Sequence, residues 1–192
     1  MYCKKLKNIV DHSESIVNGI NLEVIRQLDY FLKSRVTQRE RTNINPIKFA
    51  LEMNVSDKTA LMTFVLGVKV GLFKTRAYFN CDCGEMKELT TTKYIVKCNC
   101  QREYAPSQNK HKIFLYFKLL EQFQDCGDFL VIAKEYPIDY LIDDVLGKSH
   151  ISLADAEQIV GEKETDLLLV SQREKIYQEY LLKGESEFEK KN

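Results

Sequence analysis

The chain has 192 residues, 44% hydrophobic and 29% charged, with 28 basic and 28 acidic side chains that cancel. This composition describes a soluble globular protein of one sizeable domain or two small ones, long enough to bury its own core. The N-terminus lacks a secretory pattern, and the longest apolar stretch, residues 60–73, contains Lys69 and is too short for a bilayer, so no membrane partner and a reducing cytoplasm are expected.

The zero net charge conceals a division. Residues 1–120 hold 20 Lys and Arg against 11 Asp and Glu, a net +9; residues 121–192 hold 8 against 17, a net −9. A basic front suggests an anionic partner such as nucleic acid. Equally, the two halves can complement each other within one chain or between copies.

Residues 1–19 give little periodic signal and read as weakly ordered, with Lys4, Lys5 and Lys7 solvated. Asn21 is an N-cap for a helix over residues 22–35, whose apolar face is Leu22, Ile25, Leu28, Phe31 and Leu32. Residues 36–44 are polar and read as a loop. Asn45-Pro46 opens a second helix with proline at its first position and Phe49, Ala50 and Met53 inside. After a turn at Asn54-Val55, Ser56 caps a third helix reaching residue 70, with Gly71 as its stop and Leu61, Phe64, Val65 and Val68 as its core face. Its outward candidates are Lys58, Thr59, Met62, Thr63, Leu66 and Lys69.

Residues 72–80 alternate as a strand: Phe73, Thr75, Ala77 and Phe79 on one side, Lys74, Arg76 and Tyr78 on the other. Further strands are expected over residues 93–97 and 112–117, the last with Ile113, Leu115 and Phe117 on one face. Between the first two strands and just after lie Cys81-Asp82-Cys83-Gly84 and Cys98-Asn99-Cys100. Fourteen residues separate Cys83 from Cys98, so two matched thiol pairs face each other across a loop. Four thiolates are the ligand set of a structural zinc ion, with iron the lesser choice. The spacing of one residue inside each pair departs from the usual two to four. Cys3 and Cys126 stand apart and read as ordinary free thiols.

Beyond residue 127 the chain turns acidic and helical. Pro137 opens a helix to Leu146, Ser152 with Asp155 opens a short one, and residues 165–183 form the longest periodic segment, ended by Gly184. Residues 185–192 form a charged, weakly ordered tail. The fold class is therefore α+β.

Three helices joined by short turns, a bend at Asn54-Val55-Ser56, Gly71-Leu72-Phe73 and then strands carrying paired cysteines resemble a winged helix with a four-cysteine zinc ribbon at or after the wing. Archaeal transcription factor E and small bacterial winged-helix/zinc-ribbon proteins share that architecture. The resemblance covers residues 20–120, with the ribbon over about 79–104 and an acidic helical region over 121–184 following. It implies fold more than function.

Enzymatic chemistry finds no support. His12, His111 and His150 share no spacing, Asp143 and Asp144 point apart on a helix, no phosphate-binding glycine loop or nucleophile elbow is present, and four thiolates leave a metal no open position. Two binding readings stay open. In the first, a nucleic-acid-binding regulator uses Lys58, Lys74, Arg76, Tyr78, Lys93 and Lys97. In the second, a protein–protein adaptor or subunit of a bacterial multi-protein complex uses Met62 and Leu66, with homodimerisation through the C-terminal helices.

Overall fold

A computed structural model describes residues 1–12, 19–89, 95–127, 149–161 and 165. They form five α-helices, α1 (Tyr2–Val10), α2 (Leu22–Ser34), α3 (Pro46–Met53), α4 (Asp57–Lys69) and α5 (Leu153–Val160). A three-stranded antiparallel sheet has the order β2 (Met86–Leu89), β1 (Phe73–Asn80), β5 (Ile113–Leu119), and a two-stranded one pairs β3 (Val96–Lys97) with β4 (Glu103–Tyr104). The mixed helix-and-sheet class expected from sequence is the class observed. The expected helix 137–146, nearly all of that over 165–183, and the tail 185–192 lie outside the described residues.

Local chemistry explains most boundaries. The side chains of Asn21, Asn45 and Ser56 accept hydrogen bonds from the backbone amides of Val24, Ile47 and Thr59, so each satisfies an amide that its helix leaves unpaired. Ser152 and Asp155 close a reciprocal capping box on α5. Asn54 turns α3 into α4 in the left-handed region (φ 52°), and Gly71 (φ +73°) releases α4 into β1. β1 alternates as its sequence does, with Phe73, Ala77 and Phe79 buried and Lys74, Arg76 and Tyr78 facing out. β5 buries Ile113, Leu115 and Phe117. Ile44, between α2 and α3, makes an isolated antiparallel bridge to Phe117 on the free side of β5. Phe64 binds these layers, its ring 4.8 Å from Phe73, 5.0 Å from Phe117 and 5.8 Å from Phe49.

Three expectations need correction. Residues 2–10 are not weakly ordered: they form α1, whose Tyr2, Leu6 and Ile9 are fully buried. The tyrosine hydroxyl donates to the buried Asp29 carboxylate at 2.7 Å. The interleaved lysines hid this apolar stripe.

Cys3 and Cys126 are not separate thiols. They form a disulfide across 123 residues, tying α1 to the segment after β5. Tyr2 packs edge-on against Phe123 at 5.5 Å, and Lys5 pairs with Glu121 in the same junction. Disulfides persist where thiols are not kept reduced, so the cysteine usage no longer argues for a reducing cytoplasm. No helix among the described residues is long and apolar enough to cross a membrane.

Lastly, Met62 and Leu66 are 4% and 0% exposed, so they offer no docking face. Residues 60–67 of α4 are all buried, because α1, α3, α5 and β1 surround the helix. The signal was legible: Thr63 is the sole polar side chain among residues 60–67, and it returns its hydroxyl to the Thr59 carbonyl at 2.7 Å. A helix apolar all round belongs inside.

Candidate metal centre and outer sheet face

The four cysteines sit at the tips of two hairpins built alike. In the first, between β1 and β2, the Cys81 amide donates to the Glu85 carbonyl at 2.9 Å and the Gly84 amide to the Cys81 carbonyl at 2.8 Å. In the second, between β3 and β4, the Cys98 amide donates to the Arg102 carbonyl and the Gln101 amide to the Cys98 carbonyl, both at 2.9 Å. Gly84 (φ +86°) and Gln101 (φ +69°) occupy equivalent left-handed positions. One tight turn is thus used twice, and the single residue inside each pair is what that turn accommodates.

The turns bring the four sulfurs within 4.8 Å of one another, with Cys81 Sγ 3.6 Å from Cys100 Sγ and Cys83 Sγ 3.5 Å from Cys98 Sγ. Tetrahedral coordination at about 2.3 Å per bond places sulfurs about 3.8 Å apart. The cluster has the donors and size of a metal site. Cys81 and Cys98 are buried while Cys83 and Cys100 are exposed, so the centre lies at the surface.

The surroundings of the two hairpins differ. The Cys83 backbone amide, then the Tyr104 hydroxyl at 3.3 Å, hold the Cys81 thiol down to about 6. The Cys98 thiol instead donates to Glu85 Oε2 at 2.9 Å, and that carboxylate pushes its pKa up. Glu85 also accepts from the Asn99 backbone and side chain, clipping one hairpin to the other. Metal binding here must displace the Cys98 proton, so uptake depends on pH. Neither Tyr104 nor Glu85 was legible as a site residue, because each acts across a turn from a cysteine distant in sequence.

Four of the other sequence candidates, Lys74, Arg76, Tyr78 and Lys97, fall on the outer face of β1 and on the ribbon. Arg76 grips Glu88 through two bonds, one of them 2.7 Å from Nε to Oε1, and reaches the Asn43 side chain at 3.0 Å. Tyr78 donates to the same Asn43 oxygen at 2.9 Å. Arg76 is therefore a clamp between the sheet and the loop before α3. Its guanidinium holds the Glu88 carboxyl below the usual range. Lys74 stands opposite Lys118 in the β1–β5 register. Lys97 is exposed and pairs with Glu103 at 3.3 Å, on the ribbon. Lys58 is exposed in the first turn of α4. Lys93 lies outside the described residues.

Phe114, Tyr116 and His150 complete the outer face. Tyr116 packs edge-on against Tyr78 at 5.5 Å, and its hydroxyl lies 3.0 Å from His150 Nδ1. The His150 ring tilts over Phe114 at 5.2 Å, and burial pushes its pKa down. The alternation of β5 already implied that Phe114 and Tyr116 face outward; only the fold brings His150 to them. Charge also crosses between the halves of the chain, since Lys5 pairs with Glu121 and Lys110 with Glu157 at 2.7 Å. No protein-family model, curated protein or solved structure matches the chain.

Proposed function

We propose that the chain is a non-enzymatic, zinc-stabilised winged-helix protein that binds nucleic acid through the outer face of its sheet and the adjoining ribbon. The succession α2, α3, α4, β1, β5 supports the winged-helix reading. Ile44 would be the remnant of the strand such domains place between their first two helices, and the cysteine hairpins would extend the wing. Zinc is the metal that four thiolates at tetrahedral spacing favour, and it would leave no open position for catalysis.

The observation that carries the nucleic-acid reading is one face of β1 and β5 presenting Lys74, Arg76, Tyr78 and Lys118 together. Lysines neutralise phosphates without reading bases, so binding would be salt-sensitive and weakly specific. A buried α4 assigns no role to a helix inserted in the major groove, and Lys58 and Lys69 are exposed only at its two ends. The adaptor reading loses its two named residues to the core, and of the C-terminal helices through which a homodimer would form only α5 lies among the described residues.

Metal analysis of protein purified without added metal should find one zinc per chain, and a folded, metal-free protein with four titratable thiols would overturn that part. For nucleic acid, Lys74→Ala with Lys118→Ala is the suitable pair, because Arg76 has a structural duty. Fluorescence anisotropy across a salt series should show weaker binding on every sequence and a slope shallower by about one per lost phosphate contact. An unchanged slope would remove the sheet face from the interface.

A further inference from the structure

Cys3 and Cys126 are bridged, a bond that persists where thiols are not kept reduced. The other four cysteines stand close enough to follow them. Cys81 Sγ lies 3.6 Å from Cys100 Sγ, and Cys83 Sγ lies 3.5 Å from Cys98 Sγ. Both close pairs run from one hairpin to the other, and both join a sheltered cysteine to an accessible one. Cys81 and Cys98 are 3% and 6% exposed, whereas Cys83 and Cys100 face solvent. An accessible thiolate beside a second sulfur is the arrangement that takes up an oxidant and then closes to a disulfide instead of climbing to higher oxides.

The hairpins are held together by contacts that need no metal. Glu85 of the first accepts hydrogen bonds from the Asn99 backbone and side chain of the second. Lys87 Nζ on β2 donates to the Lys97 carbonyl on β3 at 2.8 Å. Phe79 of β1 packs on Tyr104 of β4 with ring centroids 4.7 Å apart. Loss of the ion therefore does not scatter the thiols. A disulfide sets its sulfurs at about 2.05 Å, so each cross-hairpin pair has about 1.5 Å to close. Bridges inside a pair would instead close across the single intervening residue of a turn whose backbone is already hydrogen-bonded.

We propose that a peroxide converts the zinc-bound thiolates into two disulfides, Cys81–Cys100 and Cys83–Cys98, and so releases the metal. The exposed thiolate of each pair attacks one peroxide oxygen; the O–O bond breaks, leaving a sulfenic acid and hydroxide. The sheltered thiolate then attacks that sulfur, forming the S–S bond and expelling a second hydroxide. Each pair gives two electrons to one peroxide, so two peroxides oxidise four thiolates. Zinc changes no oxidation state and leaves because its ligands are gone. The proposal rests on the zinc reading above and adds its regulation, with metal occupancy falling as oxidant rises.

The test uses the full chain purified without oxygen, two equivalents of hydrogen peroxide and a weak chromophoric chelator. One zinc per chain should pass to the chelator beyond a peroxide-free control, and thiols titratable in denaturant should fall from four to none. Peptide mapping should find Cys81–Cys100 and Cys83–Cys98 beside Cys3–Cys126. A phosphine followed by zinc should refill the centre, which sulfinic acids would not allow. Zinc retained, sulfinic acids in place of disulfides, or bridges of any other connectivity would overturn this proposal and leave the zinc reading standing. Four thiols and no metal in the protein before peroxide is added would overturn both.

Discussion

Gly67→Ala is a sharp test of how the helical layer sets the position of β1. Two effects oppose each other. In a helix interior alanine is worth about 1 kcal/mol over glycine, so propensity alone forecasts stabilisation. Here a Cβ would fall 2.7 Å from Phe73 Cε2 and closer still to Cδ2. Phe73 is 1% exposed, with the Phe64 ring at 4.8 Å and the Phe117 ring at 6.4 Å, so it cannot swing aside. Inserting a methyl into such packing costs about 1–3 kcal/mol, and at this separation the upper end applies. The net expectation is a loss of about 2 kcal/mol, or about 4–8 °C in melting temperature for a chain of this size. Urea unfolding followed by circular dichroism measures it directly. Phe73→Leu should relieve the clash, so the double variant should lose at least about 1 kcal/mol less than the sum of the singles. A Gly67→Ala protein as stable as the parent, or more so, would refute the packing argument and leave propensity in charge.

Three further outcomes are expected. Gln101→Gly should strengthen the second cysteine hairpin by about 1 kcal/mol, because a side chain at φ +69° is costly, whereas Gly84→Ala should weaken the first by a similar amount. Competition with a chromophoric chelator reads both changes, and shifts of the same sign would deny the two turns their equivalence. Reduction of Cys3–Cys126 with a phosphine should lower stability by up to about 5 kcal/mol, the loop-closure ceiling for the 123-residue separation; an unchanged urea midpoint would mean the bridge is not formed. Acid should weaken the loop before α3. A hydrogen bond from Lys48, then the Thr37 backbone amide, hold Glu40 down to about 2 from 4.5. A carboxylate lowered in the folded state stabilises above its unfolded value, and that contribution fades as pH falls from 4.5 toward 2. With Glu40 41% exposed, solvent screening keeps the effect below about 1 kcal/mol. Glu40→Gln should therefore lose less stability than the parent between pH 6 and pH 3, and equal losses would contradict the assignment.

The sequence alone determined whatever depends on near neighbours. Asn21, Asn45, Ser56 and Ser152 cap their helices because the amides they satisfy lie two or three residues away. The alternation of β1 and β5 appears as a period of two, and the cysteine pairs announce a thiol cluster by spacing alone. Features requiring distant partners were decided only by tertiary structure. α1 has no side-chain cap and gains its place from Asp29 and from Cys126 far along the chain. β2 exposes Met86, Lys87 and Glu88, so it becomes a strand by pairing with the backbone of β1 and not through a pattern of its own. Met62 and Leu66 become core once α1 and α5 close over α4. Arg76 reads as an available cation until Glu88 and Asn43 fold against it. Caps and periodicity are set by backbone geometry within a turn or two. Burial and charge pairing are set by which surfaces meet, and those surfaces come from segments tens of residues apart.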